Sequence, residues 1–228
     1  MKPRLLPLLS ALGVLLASQA GAVIAITNGD FQTTAPASNQ ANVVGWFDDS
    51  PSPTNWWEGS WYGPTVSPNG SSVLGVSYMA GAPHWAYQSI GTNSSGWTTI
   101  PLQFDLGSFT DAGGLRNLGV TFSLYQSNGS FTGADNTDIL GAGGVTLIDS
   151  FNVSTGDLAP GAMVAGLTGS LSLATANPGG ELFLRISNFD PGTGEPWAAV
   201  DNLAIVPEPS LGLLGSLGLF GLLRRRRA

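Results

Sequence analysis

The chain contains no cysteine among its 228 residues, a single histidine, and only 8 Lys and Arg residues against 15 Asp and Glu residues. Without cysteine there is no disulfide framework, so stability outside a cell has to come from the core or from a bound ion. All the acidic residues lie between Asp30 and Glu208, where Arg116 and Arg185 are the only basic residues. This negative middle would repel phosphate backbones, which argues against nucleic-acid binding.

Residues suited to acid–base or nucleophilic catalysis are also scarce. The single histidine, His84, lies in "PHW", which is typical of the entry to a strand, and the middle of the chain has no G-x-S-x-G elbow. Asp48 with Asp49, and Asp135 with Asp138, lie in turn-like stretches where solvated carboxylates are expected. A glycosidase needs two carboxylates roughly 5 to 10 Å apart across a cleft, which proximity in sequence does not establish. We therefore expect no enzymatic activity.

The N-terminus, "MKPRLLPLLSALGVLLASQAGA", has the layout of a secretory signal peptide. A basic start precedes an apolar stretch over residues 5–17, and the small residues Ala20 and Ala22 suit the signal peptidase. We expect cleavage after Ala22, so that residues 1–22 are removed and the exported chain begins at Val23. A permanent membrane helix is the alternative, but the apolar stretch is short for one.

The C-terminus ends in an uncharged apolar run from Leu211 to Leu223, followed by Arg224, Arg225, Arg226 and Arg227. At about 1.5 Å per residue, a helix over this run spans roughly 20 Å of a hydrocarbon core that is about 30 Å thick. The run therefore predicts a marginal membrane anchor. The positive-inside rule keeps the four arginines cytoplasmic, as a stop-transfer signal, and places the acidic middle outside.

The tripeptide Pro207-Glu208-Pro209, the short Leu/Gly run and the terminal arginines together resemble the PEP-CTERM sorting signal of Gram-negative bacteria that make extracellular polysaccharide. The resemblance implies that an exosortase, a membrane-embedded cysteine-dependent transpeptidase, recognises and removes residues 207–228. It also implies delivery to the cell surface or the extracellular matrix. Proline on both sides of Glu208 disfavours helix and strand, which leaves an extended segment for such an enzyme. A proline-rich linker before an ordinary tail anchor is the alternative.

Within the apolar run a glycine recurs at every third position, at Gly212, Gly215, Gly218 and Gly221. On a helix this spacing makes a slowly drifting stripe of small residues along which another helix can approach closely. One hypothesis is that the stripe docks on the sorting enzyme. The alternative is a Leu/Gly run of low complexity with no partner.

Between the two ends, short alternating runs predict half-buried strands. In "PLQFDLG" Leu102, Phe104 and Leu106 share one face, and "GVTFSLY" and "ELFLRIS" alternate in the same way. Further strand candidates are "VIAIT", "VVGWF", "SSVLGVSYM", "WAYQSIG", "VTLIDSFNV" and "WAAVDNLAIV". About ten short strands with turn-rich connections predict an all-β domain over residues 23–206, a jelly-roll-like antiparallel β-sandwich. The turn-rich stretch "SNGSFTGADNTDILGAGG" is expected to be an exposed loop.

Three pieces of this middle, "NGDFQ", "WAYQSIGT" and "AVDNLAI", resemble the galactose-binding-like, carbohydrate-module type of jelly roll. The resemblance implies a structural Ca²⁺ between the first loop and the last strand. The matching positions in this sequence are Asn28, Asp30, Gln32 and Asp201.

The residues themselves leave the calcium expectation open. Asp201 shares strand parity with Leu203 and Ile205, so its carboxylate is expected to point inward, where a hard cation with oxygen ligands would offset the cost of burial. Gln32, however, stands where relatives frequently carry Glu, which removes a charge. In the alternative interpretation, Asp30 and Asp201 cap turns or accept hydrogen bonds from backbone amides.

Tryptophan is the residue most suggestive of a ligand, since 7 are present and a cluster lies in "NWWEGSWYG". Aromatic faces stack on sugar rings, so a loop carrying such a cluster would make a glycan platform. The alternative is that these rings plug the end of the sandwich. Adjacent residues of a regular strand face opposite ways, so both members of the Trp pair cannot point inward. The residues of this predicted platform are Trp56, Trp57, Trp61 and Tyr62.

The sequence thus predicts an exported protein, processed by signal peptidase and an exosortase and passing through the inner membrane and periplasm to the surface or matrix. Its expected role is structural or adhesive, in exopolysaccharide or biofilm. The alternative is a glycan-binding protein of the lectin or carbohydrate-binding-module kind. A glycan array that finds saturable, tryptophan-dependent binding would favour the second.

Overall fold

The computed structural model describes residues 24–32, 44–49, 61–63, 68, 70–79, 82–93, 97–110, 112–189 and 197–206. These residues contain strands and turns but no helix, and accordingly none of them forms a helix long and apolar enough to cross a membrane. The strands are β1 (Phe47–Asp48), β2 (Trp61–Gly63), β3 (Val73–Val76), β4 (Tyr78–Met79), β5 (Ala82–Pro83), β6 (Trp85–Thr92), β7 (Thr99–Ser108), β8 (Arg116–Ser127), β9 (Val145–Leu158), β10 (Met163–Ser172), β11 (Glu181–Asn188) and β12 (Ala198–Ile205).

Two five-stranded antiparallel sheets form the sandwich. Sheet A has the order β1-β6-β11-β8-β9, and sheet B has the order β10-β7-β12-β3-β2, while β4 and β5 make a separate small hairpin. Without the short edge strands β1 and β2, the sheets contain eight strands, β3 and β6 to β12, which can be numbered 1 to 8 in chain order. Their spatial order is then 2-7-4-5 in sheet A and 6-3-8-1 in sheet B. This is the strand order of a jelly roll, so the predicted all-β sandwich is confirmed.

The core between the sheets follows from the period-two pattern of the long strands. Leu102, Phe104 and Leu106 of β7 are buried and face the inner side chains of β8 and β11. The rings of Phe104 and Phe122 lie 4.5 Å apart between centroids, across the sandwich. Close packing of this kind gives each large core residue a contribution of a few kcal/mol.

Strand β10 is missing from the strands predicted from the sequence, because a bulge interrupts its alternating pattern. Its pairing with β7 shifts register between Val164 and Leu167, where Gly166 has φ of +69°. The bulge interrupts the alternation on which strand prediction depends, since it places the apolar residues out of step. At the other end, "VIAIT" is not a strand over the described residues 24–27, although the Ala25 amide donates to the Ile90 carbonyl.

The expected orientation of Asp201 is wrong for the same kind of reason. Asp201 pairs with Asp105 of β7, while its neighbour Val200 pairs with the core residue Leu106, so Asp201 lies on the outer face of sheet B. A register shift follows Asp201, and Asn202 has φ of +49°, which returns Leu203 to the core. Asp201 is nevertheless only 2% exposed. Asp201 and Leu203 therefore lie on opposite faces of the sheet, although they are two positions apart, because a bulge lies between them.

The predicted exposed loop is irregular and mostly exposed, and in addition it packs a few side chains onto the outer face of sheet A. From this loop, Ile139 is fully buried and Phe131 packs on the outward side chains Tyr87 and Phe183. These residues form a second apolar cluster, separate from the core between the sheets. We call this region the covered face: it consists of the overlying residues 128–144, the cover, and the outward side chains Trp85, Tyr87, Tyr125, Phe183 and Arg185.

Candidate functional site

The predicted sorting residues lie outside the described part of the chain. This holds for the signal peptide, residues 1–22, and for the tail, residues 207–228, with its motif, glycine stripe and arginines. It also holds for Trp56 and Trp57. These assignments stay predictions.

The remaining members of the predicted aromatic platform lie on β2, at one edge of sheet B. Trp61 is in register with Gly75 of β3, and Tyr62 is in register with the core residue Leu74. Residues 50–60 connect β1, an edge strand of sheet A, to β2, an edge strand of sheet B. The tryptophan-rich segment is therefore attached at both ends to sheet edges.

The acidic residues considered for catalysis have structural partners. His84 Nδ1 lies 2.7 Å from Asp49 Oδ2, and the same oxygen accepts the Trp85 amide. Asp135 Oδ1 accepts the backbone amide of Asp48. The Asp49 contacts tie the end of β1 to β6, and the Asp135 contact ties the cover of sheet A to β1.

Asp138 is paired with Arg185, a side chain only 5% exposed on sheet A. The guanidinium donates from Nε to Asp138 Oδ1 at 2.8 Å and from a terminal nitrogen to Oδ2 at 2.7 Å. A bidentate pair of this kind is geometrically specific and uses both carboxylate oxygens. Arg185 and Asp138 therefore latch residues 128–144 onto the covered face.

Aromatic rings fill the rest of the covered face. The Tyr87 ring centroid lies 5.4 Å from that of Trp85 and 6.3 Å from that of Phe183. The Tyr87 hydroxyl accepts a hydrogen bond from the Ala134 amide at 3.0 Å and donates one to the Thr137 carbonyl at 3.0 Å. Burial raises the pKa of Tyr87, and the nearby Asp138 and Asp135 carboxylates add to that rise against the Ala134 hydrogen bond. These rings are occupied by the protein itself and are closed to a ligand.

Asn28, Asp30 and Gln32, which the calcium expectation names, lie on the first described loop. Asn28 and Phe31 have φ of +50° and +53°, and the Phe31 side chain is fully buried, which anchors the loop in the core. The Asp30 carboxylate accepts the Gln32 amide at 3.3 Å. Gln32 Nε2 donates to the carbonyl oxygens of Asp30 at 2.7 Å and Ser72 at 3.0 Å.

Asp201 lies on β12, the strand onto which this loop packs. Its Oδ1 accepts the backbone amide of Asn202 at 2.8 Å, and its Oδ2 lies 3.5 Å from the Ser71 hydroxyl. Asp30 and Asp201 thus both accept backbone amides, as the alternative interpretation describes. Because Gln32 presents a donor where a metal needs an oxygen ligand, the residues present do not fit a calcium ion.

An open cleft lies at one end of the sandwich. It forms where three paired strands end, because Glu181 of β11 is in register with both Thr92 of β6 and Ser127 of β8. The cleft has a volume of about 400 Å³. We call it the end cleft, and its lining residues are Thr92, Gln126, Ser127, Asn128, Gly129, Asn177, Pro178, Gly179, Gly180 and Glu181.

The wall of the end cleft is held in place by side-chain amides. Gln126 Nε2 donates to the Asn177 carbonyl, and Gln126 Oε1 accepts the Asn177 amide, each at 2.7 Å. Asn93 Nδ2 donates to the same carbonyl at 3.0 Å. Gly180 has to be glycine, because a Cβ there would clash with the Gln126 side chain. The Asn177–Gly180 turn is therefore preorganised at the rim.

The lining offers mainly uncharged hydrogen-bonding groups. Its polar groups are amides, hydroxyls and glycine backbone, and its single charged group is the Glu181 carboxylate, which accepts the Ser89 hydroxyl at 2.7 Å. No Lys, Arg or His lines the cleft, so an anionic ligand would meet no countercharge.

The sequence predictions did not include the end cleft. Its residues come from three connections that are far apart in the chain, so no local motif marks them. One signal was present: "SNG" follows the predicted strand "GVTFSLY", and "NPGG" precedes the predicted strand "ELFLRIS". Antiparallel pairing of those two strands would have brought both turn sequences to the same end of the sandwich.

The chain matches no protein-family model and no curated protein. Its structure is similar to that of a cyclase from Fischerella sp. TAU in complex with 4-(1H-indol-3-yl)butan-2-one, with a TM-score of 0.51 and 15% identity, covering 82% of this chain and 98% of that chain. It is also similar to a family 11 carbohydrate-binding module from Clostridium thermocellum in complex with a β-1,3-1,4-mixed-linked tetrasaccharide, with a TM-score of 0.39 and 11% identity, covering 83% and 97%. A tandem of two family 22 modules from Paenibacillus barcinonensis Xyn10C gives a TM-score of 0.42 and 11% identity, covering 83% and 51%. At such identities the likeness to the cyclase shows a shared fold and carries nothing about activity.

Proposed function

We propose that this chain is an exported, non-enzymatic β-sandwich protein that binds neutral polysaccharide at the cell surface or in the extracellular matrix. The observation that carries the proposal is the end cleft. Its volume of about 400 Å³ is within the range of small-molecule sites, and its amides, hydroxyls and exposed glycine backbone suit the hydroxyl groups of a sugar chain.

The tryptophan-rich segment supplies a second contact in this proposal. The end cleft has no aromatic lining residue. Aromatic rings on which a sugar can stack are supplied in this proposal by Trp56, Trp57, Trp61 and Tyr62. A polysaccharide is long enough to engage separate polar and aromatic sites on one protein. Binding through two weak sites fits an adhesive role in a matrix, since avidity then exceeds either affinity.

The proposed absence of catalysis is supported by the contacts of the carboxylates. Asp49 contacts His84, Asp135 accepts the Asp48 amide, and Asp138 pairs with Arg185. None of these three lines the end cleft, whose one acidic residue, Glu181, has no second carboxylate beside it in the lining. A carboxylate pair for glycoside hydrolysis is therefore lacking at the site where a sugar would bind.

Export and sorting rest on the sequence. The signal-peptide layout of residues 1–22 and the PEP-CTERM-like tail of residues 207–228 both place the acidic sandwich outside the cytoplasm. We propose that an exosortase removes the tail. Pulse-chase labelling in the native host should show two mass decreases, and replacing Glu208 with Ala should abolish the second. A single cleavage in the unchanged chain would contradict the sorting proposal.

Polysaccharide binding is tested by affinity electrophoresis of the full chain through gels containing the host exopolysaccharide, neutral glucans, mannan or galactan. Thr92 and Asn177 are exposed at the end cleft, and changing both to Ala should weaken binding roughly tenfold through lost hydrogen bonds. The matched control changes Gln103 and Thr168 to Ala, an exposed amide and hydroxyl on sheet B. Equal retardation of the cleft variant and the unchanged chain would contradict the role of the cleft.

The aromatic contact is tested by changing Trp57 and Trp61 together. Replacement of both by Ala should weaken binding, whereas replacement of both by Phe keeps a stacking ring and should restore most of it. Thermal unfolding of each variant separates lost binding from lost folding. If no neutral polysaccharide retards the unchanged chain, the proposed function is wrong.

A further inference from the structure

The first loop, the turn before β3 and the second half of β12 meet at one junction. Gly29 lies against β12, where its carbonyl accepts the Leu203 amide at 2.9 Å, and a Cβ at Gly29 would clash with the Leu203 carbonyl. The other side of the junction is closed by Gln32. Its Nε2 donates to the Asp30 carbonyl within the loop and to the Ser72 carbonyl beside β3.

The chemistry of this contact fixes which end of the Gln32 amide faces the junction. Two carbonyl oxygens converge on one atom, at 2.7 and 3.0 Å, and both are acceptors. The amide oxygen in that position would be repelled by both, so the atom is the nitrogen with its two hydrogens. The NH₂ group thus supplies partial positive charge at the point where the carbonyl oxygens meet.

A calcium ion would require the opposite arrangement. Ca²⁺ takes six to eight oxygen ligands at about 2.3 to 2.6 Å, several of them carboxylates. Here the Asp30 carboxylate accepts the Gln32 backbone amide, and the Asp201 carboxylate accepts that of Asn202. Within the described part of the chain, no group of three or more His, Cys, Asp or Glu side chains is placed to hold a metal ion.

We propose that the Gln32 side-chain amide takes the place of a structural cation at this junction, so that the first loop is fastened to the sandwich without metal. A single exchange of the NH₂ group for an oxygen, Gln32→Glu, then converts the junction into a calcium site. The new carboxylate faces two carbonyl oxygens and lies next to Asp30, which makes an oxygen-rich set that a bound cation would stabilise.

The test is thermal unfolding of the full chain, purified in mild detergent, with EDTA and then with 10 mM CaCl₂, using 10 mM MgCl₂ at matched ionic strength for comparison. The Tm of the unchanged chain should be the same in all three conditions. Gln32→Glu should lower the Tm in EDTA by roughly 2 to 5 °C, and CaCl₂ should reverse the loss. Gln32→Met, which lacks the donor, should lower the Tm in a way that calcium does not reverse.

The matched control is Gln103→Glu, which adds the same charge at an exposed position of β7. Its Tm should not respond to calcium. A calcium-dependent rise in the Tm of the unchanged chain would overturn the proposal, since a cation would then already be part of the junction. Failure of calcium to restore Gln32→Glu, or an unchanged Tm for Gln32→Met, would also overturn it. None of these outcomes depends on polysaccharide binding.

Discussion

The covered face and the end cleft are both built on sheet A, but the first is buried under a loop and the second is open. On the covered face, outward aromatic rings are sealed under residues 128–144 and latched by Arg185 and Asp138. At the end cleft, the same sheet ends in amides, hydroxyls and glycines that line an open cleft, with Thr92 exposed and Gln126 buried. The aromatic side chains on the outer face of sheet A are buried under the cover, whereas the polar end of the sheet remains open.

The two regions also differ in what holds them together. Buried ring area and a bidentate ion pair fasten the cover, so breaking it exposes apolar surface and leaves a charge unpaired. The end cleft is shaped by neutral amide hydrogen bonds between Gln126 and Asn177. Changes on the covered face should therefore reduce stability, whereas changes at the cleft should reduce binding.

The largest effect is expected from Tyr87→Ala. Tyr87 is fully buried, and its hydroxyl accepts the Ala134 amide of the cover. Its ring contacts the rings of Phe47, Trp85, Phe131 and Phe183. Its removal should cost about 3–5 kcal/mol of unfolding free energy, measured by urea denaturation. Polysaccharide affinity of the folded fraction should stay unchanged. A large loss of affinity at full folding would mean that the covered face contributes to the site.

A smaller effect is expected from Asp138→Ala. The change leaves Arg185 buried without its carboxylate, and because Asp138 is itself partly exposed the cost should be about 2–3 kcal/mol. Hydrogen exchange of residues 131–140 should accelerate. The double variant Arg185→Met with Asp138→Leu should recover most of the stability, because it removes both charges together. No recovery would mean that the ion pair is not the latch.

At the end cleft, Gln126→Ala should cost about 1–2 kcal/mol, since it leaves the Asn177 amide without its partner and the Asn177 carbonyl with only the Asn93 side chain and the Gly180 amide as donors. Unlike the changes on the covered face, this one should also weaken polysaccharide binding, because the turn at the rim loses its support. Calorimetric titration with a soluble polysaccharide fragment measures both the affinity and the active fraction. Full affinity in the variant would show that the turn does not shape the site.

The smallest effect is expected from pH. Burial raises the pKa of Tyr87 and of Tyr125 above the ordinary value of 10.0, so the unfolded chain ionises these tyrosines before the folded chain does. The contribution of these tyrosines to the free energy of unfolding is fully present below pH 10 and is lost as the pH rises above 10. At pH 11 the loss is at most about 1.4 kcal/mol for each tyrosine. Tyr125→Phe should reduce the slope of stability against pH between 10 and 11. An unchanged slope would contradict this assignment.

Much of the fold could be predicted from the sequence because alternation is a local signal. The patterns of "PLQFDLG", "GVTFSLY" and "ELFLRIS" correspond to β7, β8 and β11, which supply the centre of the core. The errors lie where a bulge shifts the register. The bulge in β10 concealed that strand, and the bulge after Asp201 reversed the face expected for its carboxylate. One extra residue changes the face of everything beyond it, and no composition signal announces it.

The candidate site was harder to predict than the fold, for a different reason. Phe131 and Ile139 are isolated apolar residues in a turn-rich stretch, so nothing local shows that they pack on sheet A. The end cleft depends on Thr92, Gln126 and Asn177 meeting in space, which follows from strand pairing and not from spacing. The side-chain role of Gln32 likewise needs Ser72, which lies 40 positions away.

The most direct test of this account is hydrogen exchange of the full chain with and without a saturating neutral polysaccharide that retards it in gels. The account predicts slower exchange at Thr92 and residues 177–181, with no change over residues 131–140 of the cover. Faster exchange over residues 131–140, which would mean that the cover opens to admit the ligand, or the absence of protection at residues 177–181, would contradict it.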